Sequence, residues 1–388
     1  MKIALSLLCE NPLRKTGLTS TYHEFVARSL KLYSDISWVV FVGPNQTWTV
    51  EDPRVEVIRD FPANDRLQRR LFAEHFFVPA VARARGADVL VSTGFVALRK
   101  CLPTAMHVFS LQHLDPQNRV GLLRGLYRKL VLDHSWHRAD LIIANSKVTE
   151  AQVLRIVPEL RERVIQAYEG LQHEIFGTTP QPGEWELLNA KIGLAPGYFL
   201  WLSNFYPYKQ AELLLAGYAQ LEPAFRRQHP LVMVGGDWSN QLRLNTELAE
   251  RLGLTHDVKF LGWLGDNLIA PLYRHAVAHC LASREETFGR TVIESMACGT
   301  PVVVNDIPIM HEVTAGHGLV VDFKDATRVA EALRRVATDK VLREKLRAGG
   351  LVRARDFSFE NFTSHRIAAI RQLVSARAAA KPPGATQP

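Results

Sequence analysis

Residues 282–304 constrain the chain most, because a strand end, a glycine turn, a helix start and a second strand follow one another there without a break. Gly289, ahead of the helical run Thr291 to Ala297, lets the backbone approach a ligand that any side chain would block. The helix start offers N–H groups that lack intrahelical partners, at the positive end of the helix dipole, and so attracts an anion such as a phosphate without a metal ion. Glu286 precedes the turn and Glu294 lies about one turn into the helix, with seven residues between them. The two carboxylates can therefore meet different parts of one extended ligand, and as acceptors they suit sugar hydroxyls. Cys298-Gly299-Thr300-Pro301 ends the helix with glycine at a left-handed cap and proline just beyond. Val302 to Val304 reads as a short buried strand.

At 388 residues, with 47% apolar and 22% charged side chains, the chain has enough material for two globular domains. The net charge of +8 favours anionic partners: nucleotide phosphates, an acidic membrane surface or nucleic acid. Cys9, Cys101, Cys280 and Cys298 are scattered, which argues against a zinc site and a disulfide framework and points to a reducing cytosol. The apolar run Ile3 to Cys9 is too short for a signal-peptide core, and no segment reads as a membrane span.

Short apolar runs predict strands at residues 2–8, 37–42, 55–58, 88–92, 104–110, 140–144, 164–167, 198–203, 231–235, 258–264 and 277–281, with helical patterns between many of them. Such alternation predicts mostly parallel sheets covered by helices. Asn11 to Thr21 reads as a polar loop before a helix from about Ser20. The Thr- and Pro-rich run Gly177 to Gly183 reads as an interdomain linker. Residues 327–373 read as helical, and Ala378 to Pro388 as a disordered tail. Arg119 to Arg138 is basic and apolar at helical spacing, which fits either a domain helix with a solvated basic face or a surface that meets anionic lipid.

The string Glu286-Thr287-Phe288-Gly289, then Glu294-Ser295-Met296-Ala297-Cys298-Gly299-Thr300-Pro301-Val302, resembles the signature of GT-B glycosyltransferases, specifically the retaining enzymes of glycosyltransferase family 4 (group 1). The resemblance implies an α/β chain of two facing Rossmann-like domains with a deep cleft: an acceptor-binding domain at 1–180, a nucleotide-sugar-binding domain at 184–356, and a helix at 357–376 returning to the first domain. It implies a donor site at Asn204, Lys209, Gly235, Gly262, Trp263, Leu264, Glu286, Thr287, Phe288, Gly289, Arg290, Thr291 and Glu294. Gly17 and His113 would lie on the acceptor side, and His113, Lys209 and Glu286 would be catalytic. Lys209 sits where the family has its phosphate-binding lysine. The arginine many members carry five residues earlier is Asn204 here, and the family's first-loop double glycine is Gly17-Leu18.

The activity so implied is transfer of a hexose from a nucleotide-diphosphate sugar, such as a UDP- or GDP-hexose, to a glycan, lipid-linked or small-molecule acceptor, with retention and with no metal or cofactor. No D-x-D motif is present to clamp a metal. Glu286 would hold donor-sugar hydroxyls and Glu294 the ribose. The alternative with the same fold is a catalytically inactive nucleotide-sugar-binding or scaffold protein. A dinucleotide-binding oxidoreductase lacks its G-x-G-x-x-G after the first strand and after the strand at 231–235, and no nucleic-acid recognition module appears.

Overall fold

A computed structural model describes residues 1–8, 17–59, 67–109, 111, 130–131, 133–193, 195–237 and 239–379. The chain divides into two compact units, Met1–Gly170 together with Phe359–Pro388, and Leu171–Ser358.

The sheet of the first unit is built from β1 (Lys2–Ser6), β2 (Ser37–Phe41), β3 (Val55–Ile58), β4 (Val89–Thr93), β5 (Thr104–Val108), β6 (Leu141–Ala144) and β7 (Val164–Gln166). All pairs are parallel, in the order β3-β2-β1-β4-β5-β6-β7. Successive side chains of a strand point to opposite faces, and here both faces are dry. Ile3, Leu5, Trp38, Val40, Val89 and Val91 enter one core; Ala4, Val39, Phe41 and Leu90 enter another. This two-sided burial explains why the strands read as continuous apolar runs rather than as alternation.

The helix Phe359–Ala379 belongs to this unit and packs Phe359, Phe362, Ile367 and Ile370 into the first core. Arg366 on the same helix is 1% exposed. Its guanidinium donates to the carbonyls of Ala167 and Tyr168, at 2.9 and 2.8 Å, and lies 3.5 Å from the ring centroid of Phe362. Those carbonyls follow β7, so charge-assisted hydrogen bonds tie the returning helix to the end of the sheet. Burial pulls the Arg366 pKa down to about 10.

The second unit carries β8 (Tyr198–Leu202), β9 (Leu231–Val234), β10 (Val258–Gly262), β11 (Ala276–Leu281), β12 (Val302–Asn305) and β13 (Leu319–Val321). They form a parallel sheet in the order β10-β9-β8-β11-β12-β13. One face packs Phe199, Trp201, Met233 and Cys280 against Leu214, Tyr218, Val329 and Leu333 of the covering helices. The strand order reverses between β8 and β11, and at such a switch point the loops leaving neighbouring strands diverge and open a crevice.

Three expectations shift. The first helix begins at Gly17 rather than near Ser20; its buried positions Thr19, Tyr22, Phe25, Val26 and Leu30 mark its inner face but not its first turn. The chain leaves the first unit at Gly170, so the segment 177–183 belongs to the second unit; there Arg274 donates to the Gly177 carbonyl at 2.9 Å and pairs with Glu184 at 2.5 Å. The helical run after Thr327 is three helices, Ala326–Thr338, Lys340–Ala354 and Phe359–Ala379. Asp325 and Asp339 cap the first two by accepting backbone N–H groups. His113, residues 119–129 and 132 of the basic stretch, and residues 380–388 of the expected tail lie outside the described residues.

In the first unit, residues Ala73–Phe77 form a π-helical turn that Val78 closes by donating to the Ala73 carbonyl. Burial pushes Glu74, inside this turn, up to about 7, with Arg70 at 3.6 Å pulling it back only in part. A carboxyl whose pKa is higher folded than unfolded holds its proton more tightly in the fold. Its contribution is therefore most favourable below the ordinary value of 4.5 and worsens as pH rises to about 7. The swing is on the order of 3 kcal/mol. Glu74→Gln is expected to melt higher than the parent at pH 8 and close to it at pH 4 in calorimetric scans. A melting difference that does not change with pH would contradict this origin.

Candidate functional site

The second unit holds a cavity of about 350 Å³ at the C-terminal ends of its strands. Ser203 and Asn204 enter its wall as the chain leaves β8, Gly235 as it leaves β9, and Trp263 and Leu264 after β10. Glu286 enters after β11, and Gly289, Arg290 and Thr291 open the helix Arg290–Ala297. Lys209 comes from the 3-10 turn Pro207–Lys209.

Two glycines make this convergence possible. A Cβ at Gly235 would fall on the Ser203 carbonyl oxygen, so the exits of β8 and β9 can lie side by side only with hydrogen at that position. Gly289 has φ +90°, and a Cβ there would come within 2.7 Å of Met310 Cε. The left-handed backbone requires glycine, whereas the flexible end of Met310 could give way, and no side chain caps the helix that follows. Asn204 accepts the Gly236 N–H at 3.2 Å. It ties the two strand exits together.

Lys209 Nζ donates to Glu286 Oε1. Ser283 Oγ donates to the same oxygen at 2.9 Å, and the Asn305 amide donates to the Ser283 carbonyl at 3.1 Å. Glu286 is thus held from below by the ends of β11 and β12 and from the side by a cation. Lys209 also lies 5.1 Å from the Tyr208 ring centroid. Beneath, fully buried His279 is pushed down to about 3 by burial, with the Lys209 charge acting in the same direction, and stays neutral.

Glu294 lies behind the wall, 7% exposed. Arg290 Nε donates to Oε1 and the Tyr273 hydroxyl to Oε2, both at 3.1 Å. Burial raises its pKa, opposed by the Arg290 charge and by both hydrogen bonds. Arg290 therefore serves two places, reaching the cavity while neutralising a buried carboxylate.

Most residues singled out in the sequence converge here. Gly262 stands just outside the wall, with φ +64° and its carbonyl accepting the Gly235 N–H at 2.8 Å. Phe288 is buried and packs edge-on against Phe357, and Thr287 lies between it and Glu286 outside the cavity wall. Gly17 lies in the first unit. Sequence reasoning missed Ser283, Tyr208, Tyr273 and Asp266. Ser283 was within reach, three residues before Glu286 in the same turn. Tyr273 meets Glu294 only through the packing of one helix on the next, which leaves no local signal.

Residues 189–351 match the family model described as glycosyl transferases group 1. The O-antigen chain mannosyltransferase B of Escherichia coli is 28% identical over 268 residues, 69% of this chain and 68% of that protein. The D-inositol 3-phosphate glycosyltransferase of Actinosynnema mirum is 31% identical over 246 residues, 60% of this chain and 58% of that protein. Among solved structures, sucrose-phosphate synthase from Thermosynechococcus elongatus superposes with TM-score 0.77 at 22% identity over 97% of this chain and 99% of that one. WaaG, a glycosyltransferase involved in lipopolysaccharide biosynthesis, gives 0.72 at 18% over 95% and 98%. At these identities the superpositions establish the fold, and the two Rossmann-like α/β units are those of the GT-B class.

Tyr273→Phe is expected to remove one hydrogen bond from a buried carboxylate at a cost of about 1–3 kcal/mol, and to raise the Glu294 pKa further. The cost applies to the ionised form, so the loss of melting temperature should be larger at pH 7 than at pH 4. Equal losses at both pH values would mean the hydroxyl does not act on Glu294.

Proposed function

We propose that the chain is a glycosyltransferase that moves a hexose from a nucleotide-diphosphate sugar to a glycan, lipid-linked or small-molecule acceptor, with retention of anomeric configuration and without a metal ion. The observation that carries this reading is the Lys209–Glu286 pair set beside the uncapped start of the helix Arg290–Ala297, in the wall of one cavity. A volume of about 350 Å³ falls among small-molecule sites, roughly 300–1,000 Å³. The family-model match at 189–351 encloses every one of these residues, and the named relatives are a mannosyltransferase and an inositol-phosphate glycosyltransferase.

In this reading the diphosphate meets Lys209, Arg290 and the backbone N–H groups of the helix start, Glu286 accepts from hydroxyls of the sugar, and Glu294, 7% exposed behind the wall, reaches the ribose once Arg290 turns from it to the diphosphate. The lysine and the glutamate hold each other in place. On donor binding, Lys209 turns from the carboxylate to the diphosphate, and Glu286 gains sugar hydroxyls in its stead. The bond between the anomeric carbon and the phosphate oxygen breaks, and negative charge grows on the leaving group. A compact ammonium and fixed N–H dipoles in a partly dry site stabilise that charge as it develops. The acceptor oxygen joins the same face of the sugar, and its proton passes to the departing phosphate. Gly17 and His113 are assigned to the acceptor side.

Lys209→Ala is expected to lower turnover of a nucleotide-sugar donor about 100-fold or more while circular dichroism stays that of the parent. Unchanged turnover would remove Lys209 from the mechanism. Transfer in excess EDTA should run at the full rate, and the product's anomeric proton coupling in NMR should match the donor's. Loss of activity with the chelator that added divalent ion restores, or an inverted product, would overturn those two parts of the proposal.

A further inference from the structure

The order of the strands sets the direction in which a ligand lies across the cavity. Glu286 follows β11, Lys209 lies beyond β8, Gly235 beyond β9, and Trp263, Leu264 and Asp266 beyond β10. The sheet order β10-β9-β8-β11 puts three strand spacings between the first and last of these exits, roughly 14 Å. That is the span of an extended nucleotide-diphosphate sugar. With its sugar at Glu286 and its diphosphate at Lys209 and Arg290, such a donor brings its base to the loop after β10.

This loop has its own chemistry. Trp263 is 72% exposed at the cavity, and among the described residues no other ring or cation covers it. An indole left in water at the wall of a binding cavity offers a flat face to a flat ligand, and a two-ring base covers more of it than a one-ring base. Asp266 lies in the same wall. It is exposed in the first turn of the 3-10 segment Asp266–Leu268, and among the described residues no cation or N–H pairs with its carboxylate. Its charge reaches the interior, where it adds to the rise in the Glu294 pKa.

A carboxylate in a site that must receive a diphosphate is electrostatically adverse unless the ligand brings donors to it. An ionised carboxylate only accepts. Guanine has N1–H and the N2 amino group side by side on one edge, which match the two oxygens. Uracil has a single N3–H between two carbonyl oxygens that a carboxylate repels. Adenine sets its amino group beside the acceptor N1. We infer that the donor's base is guanine, read by the Asp266 carboxylate and stacked on Trp263. This inference rests on the nucleotide-sugar reading of the cavity.

Titration of the full chain with GDP, IDP, UDP and ADP, followed by calorimetry, tests it. GDP is expected to bind at least about tenfold more tightly than UDP or ADP, the discrimination typical of a good bidentate contact. IDP, which lacks the N2 amino group, should fall between them. Asp266→Ala should bring GDP close to IDP, whereas Trp263→Ala should weaken all four. Tighter binding of UDP or ADP than of GDP, or a GDP preference that survives Asp266→Ala, overturns the guanine assignment and leaves the nucleotide reading standing. The wild-type ranking decides the matter even if a variant fails to fold. Binding of none of the four to the wild type overturns the nucleotide reading and the inference with it.

Discussion

A parallel sheet covered on both faces confines polar chemistry to its ends, and this constraint organises the second unit. Side chains within β8, β9 and β11 are spoken for by packing: Phe199, Trp201, Met233 and Cys280 are all fully buried. Polar groups can gather only where the strands stop, and at the switch between β8 and β11 the connections turn apart and leave space. Asn204, Lys209, Glu286 and Arg290 all belong to those connections. The first unit follows the same plan, with a switch between β1 and β4.

Within that space the charges are arranged in layers. The cations Lys209 and Arg290 each hold a carboxylate, Glu286 and Glu294, and each carboxylate is held again from behind by a hydroxyl, from Ser283 and Tyr273. In the proposed reading the cations turn to an incoming anion while each carboxylate keeps its hydroxyl partner. Electrostatic stabilisation of a leaving group draws on donors and charges already aimed at the place where charge develops. Asn204 fits the same economy of charge. It joins two strand exits through a backbone hydrogen bond and brings no charge of its own.

Much of this was legible in the residues themselves. The strands announced themselves as apolar runs, since most side chains of a doubly covered strand are apolar, and the helix at 290–297 was marked by Gly289 before it and Gly299 after it. The helix ends near Gly17 and Ala379 were less legible, because apolar spacing marks the buried face of a helix and is silent on where the backbone first turns. The segment 177–183 misled for a related reason: glycine, threonine and proline mark turns, and turns occur at the edges of a unit as well as between units.

The sequence alone determined the α/β class and the role of glycine at 289, because each depends on local backbone chemistry or on a pattern within one element. Tertiary structure decided which groups share the site. The pairing of Lys209 with Glu286 across 77 positions, of Tyr273 with Glu294 across 21, and of Arg366 with the carbonyls of 167 and 168 across about 200 depends on strand order and helix packing. A chain of residues carries no record of those distances until the sheet sets its strands side by side.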